Sequence, residues 1–256
     1  MSVALHATVD GPADAPVVVL GSSLGTTGDL WQPQMAELTS RFRVVRYDHR
    51  GHGGSPVPPG SYRLEDLGGD VLALLDRLGI ARAHQAGLSM GGMVAMWLAA
   101  HAPERVDRLA LMCTSAQLGP PSQWVDRAAA VRAGGMPAIT DMVLGRWLTP
   151  DFTANHAGVV AWVRRMFNAT PPEGYAACCG VLEHMDLTGD LPSISAPTLV
   201  IAGADDPATP PEHAERIVAG IPEARLEIVP HAAHLASVEQ PSTVGKLLVD
   251  FLGGGS

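Results

Sequence analysis

The sequence predicts an α/β fold, a mostly parallel central sheet with helices on both faces, and three observations point to it. Apolar runs of strand length alternate with longer segments of helical periodicity. Strands such as APTLVIAG are apolar throughout, as a sheet covered on both faces requires. Glycines and prolines cluster at the junctions between the two kinds of segment, where chain reversals need them.

In chain order, APVVVLGSS (15–23) and FRVVRYDHRG (42–51) read as strands, with GDLWQPQMAELTSR (28–41) as a helix between them. LEDLGGDVLALLDRLGI (64–80) carries apolar residues at helical spacing, although Gly68 and Gly69 cost it roughly 1 kcal/mol each relative to alanine. A strand over 83–88 leads directly into GLSMG (87–91), and the helix that follows should end near His101, because Pro103 disfavours continuation. DRLALMCTSA (107–116) reads as a buried strand.

From 117 to 192 the alternation stops. Prolines and glycines cut that stretch into short helical pieces containing Trp124, Trp147, Trp162 and Phe167, which reads as an inserted helical cap. The alternation then resumes with APTLVIAGADD, PEHAERIVAGI and ARLEIVPHAAH, and closes on a helix over 242–252. The expected organisation is a single domain over 1–252, with its core at 1–116 and 193–252, its cap at 117–192 and a linker-like tail at 253–256.

The chain has 256 residues and 46% hydrophobic residues, enough to bury a sizeable core. Its formal net charge of -9, with 17 Lys and Arg and no long basic cluster, disfavours a nucleic-acid partner. No uninterrupted apolar run approaches the roughly 18 residues of a membrane span, and MSVALHATVDG lacks the basic start of a secretory signal. A cytoplasmic protein with no membrane partner is therefore expected. Cys113, Cys178 and Cys179 stand in no CxxC spacing. The pairs His49/His52 and His231/His234 have HxxH spacing without the glutamate of a zinc hydrolase, so no catalytic metal is expected.

The serine of GLSMG carries the first functional expectation. A hydroxyl is a weak nucleophile, so it needs a base within hydrogen-bond reach and a third group to orient that base. Between a strand end and a helix start, Ser89 would occupy a strained turn that exposes its oxygen above the sheet. Its partners should lie after other strands, since sites in an open α/β sheet form at the strands' carboxyl ends. Asp205 and Asp206 follow one strand and His231 and His234 another, giving the chain order Ser, Asp, His.

GSSLGTTGDLWQPQ, RYDHRGHGGS, GLSMGG, ERVDRLALMCTSA, GADDPATP and HAAHLASVEQP together resemble the α/β-hydrolase fold, and closely the 3-oxoadipate enol-lactonases of protocatechuate breakdown. The resemblance implies that the acid is the aspartate three residues after the strand-ending glycine. Counted from Gly203, that is Asp206. It implies that the histidine lies a few residues before an ExP ending, here Glu239 to Pro241, which selects His234. Backbone amides of Met90 and Leu24 would then form the oxyanion hole, with Ser23 as the neighbouring register, since Ser22, Ser23 and Leu24 resemble the NSLG form of enol-lactonases.

The implied reaction is cofactor-free hydrolysis of a small carboxylated lactone, with a cation reaching the pocket to meet the carboxylate. Ser23, Trp124, Arg132 and Trp147 are the expected substrate contacts, while Arg127, Arg146, Arg164 and Arg165 are expected mostly on the solvated face of the cap. Rival readings share the fold: a carboxylesterase, a cofactor-free haloperoxidase-type enzyme, a hydrolase of ring-cleavage products, or a lactone receptor that signals through its cap. Such enol-lactonases are sometimes fused to a carboxymuconolactone decarboxylase, and the GGGS tail is compatible with a junction to one or with a linker remnant.

Overall fold

The computed structural model describes residues 1–254. The chain opens with β1 (Ala7–Asp10) and β2 (Val17–Gly21), then a 3₁₀ segment (Gly28–Gln34) that runs into the short α1 (Met35–Thr39). There follow β3 (Arg43–Tyr47), α2 (Leu64–Arg77), β4 (Ala83–Leu88), α3 (Met90–His101) and β5 (Val106–Met112). Five helices stand between β5 and the next strand: α4 (Ser122–Gly134), α5 (Thr140–Trp147), α6 (Pro150–Asn155), α7 (Ala157–Asn168) and α8 (Pro172–His184). The core then resumes with β6 (Thr198–Gly203), α9 (Pro211–Gly220), β7 (Ala224–Val229), α10 (Ala236–Glu239) and α11 (Pro241–Leu252).

The strands form one sheet in the order β1-β3-β2-β4-β5-β6-β7, parallel except for the antiparallel edge strand β1. The short β1 is absent from the sequence reading because four half-exposed residues at a sheet edge carry no buried run to detect. The helix expected over 28–41 is instead a 3₁₀ segment followed by one short α-helical turn. Pro33 lies inside it and cannot donate the bond that a continuous α-helix would need.

Strand order reverses between β2 and β4, whose pairing runs up to Gly21 opposite Gly87. At that switch point the two outgoing loops diverge and leave a crevice. Backbones meet there: a Cβ on Gly21 or Gly87 would run into Gly91, and one on Gly91 into Gly21. The absence of side chains at these three positions therefore lets the start of α3 sit directly on the ends of β2 and β4.

The helix α3 is buried on nearly all sides, with Met90, Met93, Val94, Met96, Leu98 and Ala99 in the core. Its all-round apolar sequence fits that central place. The inserted helices are joined to the core at a neck, where an isolated bridge pairs Gln117 with Asp186 and the Leu187 N–H donates to the Ala116 carbonyl at 2.8 Å. Among the described residues, no helix is long and apolar enough to cross a membrane.

Candidate active site

Each element delivers its functional residue at the carboxyl end of a strand. Ser89 joins β4 to α3 with φ 54° and ψ -117°, a backbone conformation that side-chain-bearing residues rarely adopt. The turn is held from three sides. Its N–H donates to the Met112 carbonyl (2.9 Å), its carbonyl accepts from Thr114 Oγ1 (2.7 Å), and the Met93 N–H closes the first helical turn onto it (3.1 Å).

The loop after β6 carries Asp206 and the loop after β7 carries His234, both 3% exposed. Asp206 Oδ1 accepts from the Ala208 and Thr209 amides at 2.7 and 3.1 Å, and its Oδ2 accepts from Thr209 Oγ1 and His234 Nδ1 at 2.8 Å each. A carboxylate that only accepts is held ionised. Burial by itself would raise this acid, but the adjacent His234 and the bonds from His234 and Thr209 outweigh it and bring the Asp206 carboxyl down to about 2. With the proton of His234 fixed on Nδ1, its Nε2 is left as an acceptor. Asp205 and His231, the alternatives on the same loops, are exposed.

Ser89 and His234 line one cavity of about 110 Å³ under the inserted helices, together with Ser23, Leu24, Trp124, Arg127, Arg146, Trp147 and His213. A larger groove of about 400 Å³, between α2, α3 and the end of α8, shares none of its lining residues. Residues 23–26 form a β-turn, with the Thr26 N–H donating to the Ser23 carbonyl (3.1 Å) and Gly25 at φ 84°. Among the described residues, the backbone amides of Ser23, Leu24 and Met90 have no hydrogen-bond acceptor; Ser23 and Leu24 line the cavity, and Met90 follows Ser89, which also lines it.

The walls correct one expectation and add to others. Arg132 does not reach the cavity: it pairs with Glu173 at 3.1 Å on the surface of α4. Five residues along a helix turn the side chain about 140°, so Arg127, which does line the cavity, and Arg132 face different ways. Arg164 likewise pairs with Asp141, away from the cavity lining. Arg146 is the second lining cation. It donates to the Pro207 carbonyl at 3.0 Å, and burial and then the nearby Arg127 push its guanidinium down from its ordinary value. Trp124 lies under the Arg127 guanidinium, 4.6 Å from the ring centre, and its buried Nε1–H has no partner among the described residues. Trp147 completes that wall edge-on to Phe167.

Two groups have contacts that the sequence did not disclose, one of them Glu239, read there only as part of the ExP ending. His213, at the start of α9, has Nδ1 2.7 Å from Ser115 Oγ, while Ser115 donates to the Gln117 carbonyl at 2.5 Å. Ser115 therefore accepts from His213 Nδ1–H. Burial, then Arg216, lowers the basicity of the His213 ring. The second group is Glu239, whose Oε1 accepts from the Thr149 amide and hydroxyl (2.8 Å each), and whose Oε2 accepts from the Ala233 amide (2.6 Å). No cluster of three His, Cys, Asp or Glu side chains among the described residues is arranged to hold a metal ion.

A family model described as alpha/beta hydrolase fold matches residues 16–175 and 168–241. The chain belongs to the α/β-hydrolase fold family. The hydrolase is 40% identical to 3-oxoadipate enol-lactonase 2 of Acinetobacter baylyi, over 93% of this chain and 89% of that one. The crystal structure of an enol-lactonase from Burkholderia xenovorans superimposes with a TM-score of 0.95 at 43% identity, covering 97% of this chain and 96% of the other. A protein of Variovorax paradoxus named for carbamate hydrolysis is 35% identical over 97% of this chain and 95% of its own. This hydrolase accounts for nearly the whole length of these relatives, so the likeness lends no support to a fused decarboxylase domain.

Proposed function

We propose that the hydrolase opens 3-oxoadipate enol-lactone to 3-oxoadipate, a step of protocatechuate breakdown, by acyl transfer to Ser89. The observation that carries this reading is the composition of the cavity: a serine and a histidine at its floor, two arginines in its wall, and no acidic side chain lining it. A small anion is attracted there, and about 110 Å³ suits a compact ring better than a long acyl chain. The name of the Acinetobacter baylyi relative supports the same substrate, and that of the Burkholderia xenovorans structure supports an enol-lactone.

In the proposed mechanism His234 Nε2 takes the Ser89 proton as Oγ adds to the lactone carbonyl. Asp206 holds the Nδ1–H tautomer and stabilises the imidazolium. The tetrahedral oxyanion is met by the amides of Met90 and of Leu24 or Ser23, where an aligned donor is worth roughly 3 kcal/mol. Collapse breaks the ring C–O bond, and His234 returns its proton to the departing enol oxygen. Water, deprotonated by His234, then cleaves the acyl-enzyme, and the enol tautomerises to the ketone. Arg127 and Arg146 hold the substrate carboxylate, and Trp124 Nε1–H supplies a further donor.

Steady-state kinetics on the enol-lactone and on a neutral short-chain ester test the assignment. Arg146→Gln and Arg127→Gln should each raise KM for the lactone roughly 10- to 100-fold, the worth of a charge-assisted bond, and leave the neutral ester nearly unaffected. Equal effects on both substrates, or a wild-type preference for the neutral ester or for a carbamate, would overturn the lactone assignment.

A further inference from the structure

Of the buried histidines that this mechanism leaves unused, two flank the loop after β2. His49 and His52 lie in the turn after β3 and are 1% and 0% exposed. His52 Nε2 is 2.9 Å from the Gly25 amide, and its Nδ1 is 3.2 Å from the Arg50 carbonyl. An amide can only donate and a carbonyl only accept, so His52 carries its proton on Nδ1 and accepts at Nε2. His49 is the reverse: its Nε2 is 3.0 Å from the Ser22 carbonyl, so that nitrogen bears the proton. The same carbonyl accepts from the Gly91 amide at 3.0 Å, in the first turn of α3 beside Met90.

We infer that His49 and His52 are positioning residues for the oxyanion hole, two neutral imidazoles in opposite tautomers that grip residues 22–25 at both ends. His49 and Gly91 converge on the Ser22 carbonyl, which ties the loop bearing Leu24 to the helix bearing Met90. His52 holds the Gly25 amide and so fixes the turn from the other side. The inference rests on the acyl-transfer reading above. Its distinct content is that loop geometry depends on which ring nitrogen of each histidine carries the proton.

The surroundings keep both rings neutral. Burial, then the proximity of His52, lowers His49 to about 3, and burial lowers His52 to about 4. The facing groups are few. The rings lie edge to face at 6.2 Å, and Tyr47 lies edge-on to His49 at 5.0 Å. The Asp48 carboxylate is spent on the Gly28 and Gly54 amides and on His6, and the Arg50 guanidinium on Asp70.

His52→Phe keeps a ring of similar shape and removes the acceptor, whereas His52→Gln restores one. The first variant should lose kcat roughly 10- to 100-fold, somewhat less than deletion of an oxyanion donor, with KM within about twofold. It should bind a boronic acid, which forms a tetrahedral adduct on a serine, more weakly by a similar factor, and bind a simple keto acid as the wild type does. His52→Gln should recover most of both losses. Unchanged kcat and boronate affinity in a folded His52→Phe, or a loss confined to KM, would overturn the inference.

If that variant fails to fold, ¹⁵N spectra of the wild-type imidazoles decide instead. They should show His52 protonated on Nδ1 and His49 on Nε2, and the opposite tautomer at His52 would refute the grip. Failure of the acyl-transfer reading is separable, because the wild type would then neither bind the boronate nor be labelled at Ser89 by a fluorophosphonate.

Discussion

Ser89 keeps a positive φ although it bears a side chain, which costs of order 1–3 kcal/mol and persists only where the surroundings enforce it. Here the Met112 carbonyl, Thr114 and Met93 enforce it. The task of the proposed nucleophile and its backbone conformation are therefore separable by substitution. Ser89→Ala should lose roughly 10⁴- to 10⁶-fold in kcat with an unchanged thermal midpoint. Ser89→Gly should be equally inactive yet more stable by about 1 kcal/mol, because glycine adopts that conformation freely. Activity retained in either variant would remove Ser89 from the mechanism, and a destabilised glycine variant would remove the strain. Ser89 was legible because it directly follows β4, and the loops after β6 and β7 were legible as the places for its partners, but strand ends alone left Asp205 beside Asp206 and His231 beside His234, and the family resemblance made the choice. Arg127 and Arg132 could not be told apart in this way, since which of them faces inward depends on how α4 is rotated against its neighbours.

The two glycines of α2 separate propensity from packing. Both cost helix stability in an isolated segment, but nothing lies within 4 Å of where a Cβ on Gly69 would be, while a Cβ on Gly68 would enter the Trp97 ring of α3. Gly69→Ala should therefore stabilise the protein by up to about 1 kcal/mol, and Gly68→Ala should destabilise it by about 1–3 kcal/mol through overpacking. Urea unfolding of the two variants checks both signs; shifts in the same direction would contradict the contact with Trp97. Sequence alone gives the pair one penalty, because close approach between helices is a tertiary fact. The same limit hid β1, which is defined by the strand it borders, and the inner faces of α4 and α5. The strands β2 and β6 and the helix α3 were readable because their burial is written in nearly continuous apolar residues, whereas the buried β4, AHQAGL, was read from its place before GLSMG.

Across the whole molecule, buried imidazoles set the response to acid. His49 and His52 are held neutral down to about 3 and about 4, against 6.5 in an unfolded chain, and burial also lowers His84 and His213. Below pH 6.5 the unfolded chain binds protons that the folded one refuses, so stability falls as pH drops through this window and is fully present above it. Each fully refused proton is worth about 1.4 kcal/mol per pH unit. Asp206, depressed to about 2 from 3.8, adds a second loss below pH 3.8, where the unfolded carboxylate protonates first. Denaturation free energy should thus plateau between about pH 7 and 8, decline steadily from about 6.5 toward 4, less steeply in His52→Gln, and decline again above about 9, where the unfolded chain ionises the thiols of Cys113, Cys178 and Cys179 that burial keeps protonated in the folded one. A profile flat between pH 7 and 4 would refute it. The Glu239 carboxylate has a mechanical consequence on the same scale. Because it grips Thr149 on the roof and Ala233 next to His234, the proposed general base, and Leu235 N–H is also bonded to the Trp147 carbonyl, lifting the roof at that corner would drag the imidazole out of line. Traffic of ligands must therefore pass by another side, and any breathing that leaves the chemistry poised is confined to helices not anchored there.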